Sequence, residues 1–258
     1  MNLIAKLKGK ALRWSLPLPF SCRHVEYSTI SSLDDDRRSS NERLLDISLA
    51  AIAEARRVDL SWISKRMAAP PYYPEVWPGE HYKLLAGLVA TLKPKRVVEV
   101  GTFRGLSALA IQGSLPPGSE IITLDIVPWN EIKDTALRPG DFEGKQLRQV
   151  LGDLSQAAFF QSFAATLAGC QLLFIDGPKN VTFEEALLRQ LASIRLPDGA
   201  LILFDDTRQW NMQRIWREIA RPKLDLTSFG HWTGTGLIDW NGRNRRAENG
   251  SSSCPTRR

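Results

Sequence analysis

From Arg96 onward the chain alternates short apolar runs with stretches of helical periodicity, and this constrains the fold more than any other feature. The runs lie at Arg96 to Val100, Glu120 to Asp125, Leu147 to Leu151, Leu172 to Ile175 and Ala200 to Phe204. Most are too short for a helix and apolar at successive positions, as strands covered on both faces must be. Helical stretches separate them, at about Leu106 to Gly113, Gln156 to Leu167, Phe183 to Ile194 and Trp210 to Ala220. Strands alternating with helices make a parallel sheet with helices on both sides. Leu224 to Phe229 and Gly236 to Trp240 flank the turn HWTGTG and predict a hairpin at the sheet edge. The expected fold is α/β: a doubly wound, mostly parallel seven-stranded sheet with a closing antiparallel hairpin.

Ahead of the sheet, Asn41 to Arg57 predicts a helix capped by Asn41, with Leu44, Leu45, Ile47, Leu49, Ile52 and Ala55 on one broad face. Ala69 to Pro78, rich in Pro, Tyr and Trp, predicts an extended connection to a second helix over Gly79 to Leu92. Thr182 and Glu185 have the spacing of a capping box. Residues 1–40 read as a basic segment and polar linker, and residues 243–258 as a disordered basic tail.

Charge placement narrows the partners. The formal net charge is +6, yet residues 1–25 carry five basic and no acidic side chains, and residues 243–258 five basic and one acidic. The span between them is therefore net acidic, which argues against a basic groove for nucleic acid. Solvated ends, or a weak contact of the amino-terminal segment with an acidic membrane surface, are the two readings left open. No apolar stretch reaches the roughly 18 residues needed to cross a bilayer. Cys22, Cys170 and Cys254 form no Cys-x-x-Cys pattern, so neither a disulfide framework nor a zinc site is expected, and a cytoplasmic location fits.

The chemistry concentrates where strands end. The first ends in VVEVGTFRGLSALA, with Gly101 and Gly105 between a buried strand and a helix start. Glycine there lets a ligand approach the backbone, and helix N–H groups favour a polar ligand. The spacing Gly-x-x-x-Gly, with Glu99 before it, differs from the nicotinamide fingerprint Gly-x-Gly-x-x-Gly. Asp125 ends the next strand, where a carboxylate can accept both ribose hydroxyls, and Gly152 and Asp153 end the third, within reach of an adenine amino group. Asp176 and Lys179 follow the fourth strand, and Asp205 and Asp206 the fifth. Carboxylates converging on one rim repel unless a cation neutralises them, and all-oxygen ligation suits Mg²⁺ or Mn²⁺. Helix capping by Asp205 and Asp206 is the plainer alternative.

In this order of motifs the sequence resembles the class I S-adenosylmethionine-dependent methyltransferases, over about Gly79 to Trp240. The resemblance implies a Rossmann-like methyltransferase domain over residues 41–242, with a helical N-terminal extension. It places the cofactor on Glu99, Gly101, Thr102, Gly105, Asp125, Gly152 and Asp153. Asp-x-x-Lys followed by Asp-Asp-Thr is similar to the metal-dependent catechol and caffeoyl-coenzyme A O-methyltransferases, which have Asp-Asn at the second motif. The macrolide sugar O-methyltransferases share the Asp-Asp but carry His where this chain has Lys179. The resulting expectation is an O-methyltransferase acting on a hydroxyl of a small molecule or sugar. Asp176, Asp205 and Asp206 would hold the metal, with Lys179 as general base beside Asp176. A metal-independent enzyme and a non-catalytic cofactor-binding scaffold are the alternatives. His24, His81 and His231 are too scattered to form a recognisable motif, with His81 a candidate for the cofactor mouth. Trp62, Tyr72, Tyr73, Trp77 and Trp210 are candidates for an acceptor wall, and the oligomeric state is open.

Overall fold

The computed structural model describes residues 40–242 apart from Lys145 and Trp210. The two basic ends, Cys22, Cys254, His24 and Trp210 lie outside the described residues. Seven strands form one sheet: β1 (Arg96–Val100), β2 (Glu120–Asp125), β3 (Leu147–Leu151), β4 (Leu172–Ile175), β5 (Leu201–Asp205), β6 (Lys223–Asp225) and β7 (Thr235–Asp239). Their order is β3-β2-β1-β4-β5-β7-β6. The first five pair in parallel, and β7 runs antiparallel to both β5 and β6. The order reverses at β1, where the loops after β1 and β4 leave in opposite directions and open a crevice.

Period-two alternation sends Val97, Ile121, Leu172 and Leu201 into one core, and Val98, Ile122, Leu173 and Ile202 into the other. The first core is covered by α1 (Glu42–Ala55), α2 (Ser61–Ser64), α3 (Tyr82–Leu92) and α4 (Leu106–Gln112); the second by α5 (Ala157–Leu167), α6 (Thr182–Leu191) and α7 (Gln213–Glu218). Burial on both sides explains why so many strand positions are apolar. Between β2 and β3 the chain makes only two short 3₁₀ turns, and Trp129 there stacks on Phe142 at 5.1 Å.

Asn41 caps α1 as its sequence predicts, its Oδ1 accepting the Leu44 N–H at 2.9 Å. The buried face differs from the expected one. It consists of Leu44, Ser48, Ala51 and Ala55, while Leu45 and Leu49 are 44% and 68% exposed. The reason is the closeness of α3: a Cβ on Gly87 would lie 2.3 Å from the Ala51 carbonyl oxygen and 2.9 Å from the Ala55 nitrogen. A contact that tight admits only small side chains, so apolarity alone selects the wrong stripe.

Other boundaries shift for local reasons. The α6 cap is built by Asn180, whose Oδ1 accepts the Phe183 N–H at 2.9 Å, and by Glu184, which accepts the Val181 N–H at 2.8 Å. Glu185, expected in the capping box, instead pairs with Arg214. The expected strand over Leu224 to Phe229 ends at Asp225, since Asp225 Oδ1 accepts the Thr227 N–H at 2.9 Å and starts a 3₁₀ turn over Thr227–Phe229. The α7 helix is shorter than expected.

The Gly87 contact yields a prediction. Alanine favours a helix over glycine by about 1 kcal/mol, but at position 87 the new methyl meets backbone that yields only if α1 and α3 separate. Gly87→Ala should therefore be net destabilising by about 1–3 kcal/mol, read as a lower Tm. An unchanged or higher Tm would show that the helices are not in this contact.

Candidate active site

The carboxyl ends of β1, β2, β3 and β4 surround a cleft of about 680 Å³, within the range of small-molecule sites. Gly101, Asp125, Gly152, Asp153, Asp176 and Lys179 all line it. Asp125 is held by backbone donors on two sides. Its Oδ2 accepts the Phe103 N–H at 3.0 Å, and its Oδ1 accepts the Ile126 N–H at 2.8 Å. Asp153 Oδ1 accepts the Ser155 N–H at 2.8 Å. Each carboxylate is thereby fixed at the rim with lone pairs to spare, the arrangement needed to receive hydroxyl and amino donors.

Three of the predicted cofactor residues lie off the cleft wall. Thr102 is 2% exposed, and its hydroxyl is shared with Thr123 at 2.7 Å and Gln149 at 3.1 Å, beneath the loop. Gly105 starts α4 at φ 76, where a Cβ would meet the Leu137 side chain at 2.2 Å, so packing alone demands glycine there. Glu99 is fully buried on the α4 side of β1, beside Thr123 and Phe174 on the adjoining strands. No donor meets either of its oxygens at hydrogen-bond geometry. Burial pushes its pKa up to about 8, and Ser107 and Thr123 offset this only in part.

Beyond the cleft, β4 and β5 deliver the second group. Carboxylate oxygens of Asp176, Asp205 and Asp206 lie within 4.8 Å of one another. Asp205 and Asp206 are 2% and 5% exposed, while Asp176 connects the group to the cleft. Lys179 Nζ bonds Asp176 Oδ1 and lies 3.0 Å from Asp206 Oδ2. Burial opposes the charge on Lys179, but Asp176, Asp205 and Asp206 together push its pKa above its usual range. Burial and the neighbouring Asp205 push Asp176 up. Asp206 is also buried, yet hydrogen bonding by His231 and the Lys179 charge hold it well below the usual carboxylate range.

The histidines that look scattered in sequence meet here. His81, just before α3, puts Nδ1 3.6 Å from Asp205 Oδ2; His231, on the β6–β7 connection, puts Nδ1 3.3 Å from Asp205 Oδ2 and 3.3 Å from Asp206 Oδ1. Glu80 Oε2 lies 3.7 Å from His231 Nε2. Burial works against protonation of His231, but the two aspartates push its pKa up to about 10. The Pro-rich connection holds the elements together: Gly79 N–H donates to the Gly230 carbonyl at 3.2 Å, and Trp77 Nε1 to the Phe229 carbonyl at 2.8 Å. Trp62 packs in the first core beneath Arg66, Tyr73 is partly buried against that core, and Tyr72 is 41% exposed.

Backbone strain concentrates at this rim. Phe103, Lys179, Val181 and Asp206 have φ of 42, 52, 74 and 60°, at a cost of order 1–3 kcal/mol each. Glu184 clamps the Lys179 loop by accepting the Lys179 N–H at 2.9 Å as well as that of Val181. Sequence spacing had pointed to Glu185 instead.

Residues 98–207 match the model of a family described as a methyltransferase domain. Over that stretch, which is less than half of the chain, the protein is similar to a methyltransferase domain. A caffeoyl-CoA O-methyltransferase of Stellaria longipes is 27% identical over 161 residues, covering 57% of this chain and 58% of that relative. Solved structures with similarity include SAH-bound methyltransferase PaMTH1 of Podospora anserina, at TM-score 0.49 and 19% identity over 74% of this chain and 88% of that one. Another is the O-methyltransferase TomG of Streptomyces achromogenes, involved in tomaymycin synthesis and solved with SAM, at TM-score 0.46 and 19% identity over 71% and 89% of the two chains. The matched stretch runs from the middle of β1 to just past β5, so it contains the cleft and all three aspartates.

The position of Glu99 sets a pH dependence. An acid whose folded pKa is raised binds more protons folded than unfolded between its normal value and about 8, so its ionisation lowers stability as pH rises through that window. Glu99→Gln should thus be more stable than the parent at pH 8 and above, with the difference shrinking toward zero below about pH 4.5. Equal pH profiles of Tm for the two proteins would contradict the burial of this carboxyl.

Proposed function

We propose that this protein is an S-adenosylmethionine-dependent O-methyltransferase, assisted by a divalent cation and acting on a hydroxyl of a small molecule or sugar. The acceptor is of the vicinal-diol or catechol kind, with two neighbouring oxygens. The observation that carries this reading is continuity. A cleft edged by Asp125 and Asp153 runs without a break to Asp176 and Lys179, and Asp176 in turn adjoins Asp205 and Asp206.

The donor set suits the groups proposed. Rigidly held carboxylates at Asp125 and Asp153 suit ribose hydroxyls and an adenine amino group. Three carboxylates within 4.8 Å suit a hard dication with oxygen ligands. When bound, S-adenosylmethionine supplies an electrophilic methyl group, and the cation supplies Lewis acidity toward paired oxygens. The protein's own part is to align the acceptor, exclude water and remove the hydroxyl proton. As folded, Lys179 is held charged by its three carboxylate neighbours. It becomes a proton acceptor only where a cation takes over their charge, so the two roles stand or fall together.

One observation favours a second reading. Lys179 already bridges Asp176 and Asp206, so its ammonium could neutralise them unaided. In that metal-independent enzyme, Lys179 orients the acceptor as a donor.

Calorimetry with S-adenosylhomocysteine should show binding by the parent and at least a tenfold loss in Asp125→Ala, about 1.4 kcal/mol. NAD binding in place of S-adenosylhomocysteine would overturn the cofactor assignment. In turnover of a diol or catechol acceptor with labelled cofactor, Lys179→Ala should fall by roughly 10²–10⁴-fold, and excess chelator should abolish the activity of the parent. Full activity in chelator would select the metal-independent reading.

A further inference from the structure

The chemistry of Asp205 is two-sided. Toward Asp176 and Asp206 the carboxylate group already holds a cation, the Lys179 ammonium. On its other side Asp205 faces two imidazoles, and one donor atom each from His81, Asp205 and His231 lie within 4.8 Å of one another.

His81 makes this side unlike an ordinary acidic cluster. Its ring is 3% exposed, and neither nitrogen has a hydrogen-bond partner. A buried polar group without a partner costs about 1–3 kcal/mol, yet Nδ1 is aimed at Asp205 Oδ2 from 3.6 Å. The ring is held there by packing, with its centroid 4.4 Å from that of Tyr82, 5.1 Å from Phe174 and 5.6 Å from His231. His231 comes from the opposite side, on a turn anchored by the Gly79–Gly230 and Trp232–Gly79 backbone bonds. Two imidazoles and a carboxylate on separate rigid elements, around one buried acceptor, form a donor set of mixed nitrogen and oxygen.

We propose that His81, Asp205 and His231 form a site for a borderline divalent transition metal such as Mn²⁺, Co²⁺ or Zn²⁺, selected over Mg²⁺ by its imidazole ligands. Nitrogen donors favour first-row transition ions, whereas Mg²⁺ prefers oxygen and keeps its water. Metal–ligand bonds of about 2.0–2.2 Å can join donors up to about 4.4 Å apart, and His81 Nδ1 and His231 Nδ1 lie 3.6 and 3.3 Å from Asp205 Oδ2. Asp206, whose Oδ1 lies 3.3 Å from His231 Nδ1, is the nearest additional oxygen. The proposal shares Asp205 with the metal centre of the proposed function and rests on that reading for its catalytic meaning. It does not rest on it for metal binding.

The test is visible absorption of the full chain titrated with Co²⁺, whose d–d bands report nitrogen ligation, with far-UV circular dichroism as a check on folding. The parent should take up one Co²⁺ with bands that survive a hundredfold excess of Mg²⁺. His81→Ala and His231→Ala should each weaken uptake at least tenfold and shift the bands, whereas Asp176→Asn should retain both. His231→Asn, at a half-buried turn, serves where His81→Ala fails to fold. Co²⁺ bands abolished by Mg²⁺, or unaltered in a folded histidine variant, would overturn the proposal. Calorimetry of S-adenosylhomocysteine on the same samples separates the outcomes: cofactor binding without nitrogen-ligated Co²⁺ defeats only this site, and the reverse defeats only the methyl-transfer reading.

Discussion

The loops after β1 and β4 approach so closely that a Cβ on Gly101 would lie 2.2 Å from the Asp176 carbonyl oxygen. Gly101 adopts φ +102° there, a conformation that costs side-chain-bearing residues dearly. The glycine serves the protein as much as any ligand. It lets the loop after β1 and the loop bearing Asp176 share one edge, so that the cleft edged by Asp125 and Asp153 and the carboxylate group are fixed relative to each other. A larger residue at position 101 would move both.

Around that edge, the fold sets charge against charge at short range. Asp176, Asp205, Asp206 and Glu80 face Lys179 and His231, and burial sharpens each interaction. Strained backbone at Lys179, Val181 and Asp206 is held by Glu184 and by the hydrogen bond from Thr233 to Asp206. Strain of this kind persists only where surrounding contacts over-determine it. Here it aims side chains from β4 and β5 at one point.

The sheet was legible because strands buried on both faces announce themselves as apolar runs, and because their ends carry Asp125, Asp153, Asp176 and Asp205 in register. What escaped the sequence depended on distance or on closeness. His81 and His231 are 150 positions apart, and the bridge of Gly79 with His231, together with the Trp77–Phe229 hydrogen bond, brings them together. The true face of α1 was hidden because a tight helix contact selects serine and alanine over leucine. Glu99 stands beside the glycine loop in sequence, and the parity of β1 places it on the α4 side, buried and away from the cleft wall.

The central claim is that one edge of the sheet joins a nucleoside site to a carboxylate-rich reaction site. A crystal structure with S-adenosylhomocysteine tests it most directly. The account predicts the ribose on Asp125, the adenine beside Asp153, and the sulfur at the end of the cleft toward Asp176 and Lys179. Density for the nucleoside elsewhere, or a sulfur pointing away from Asp176, would contradict it.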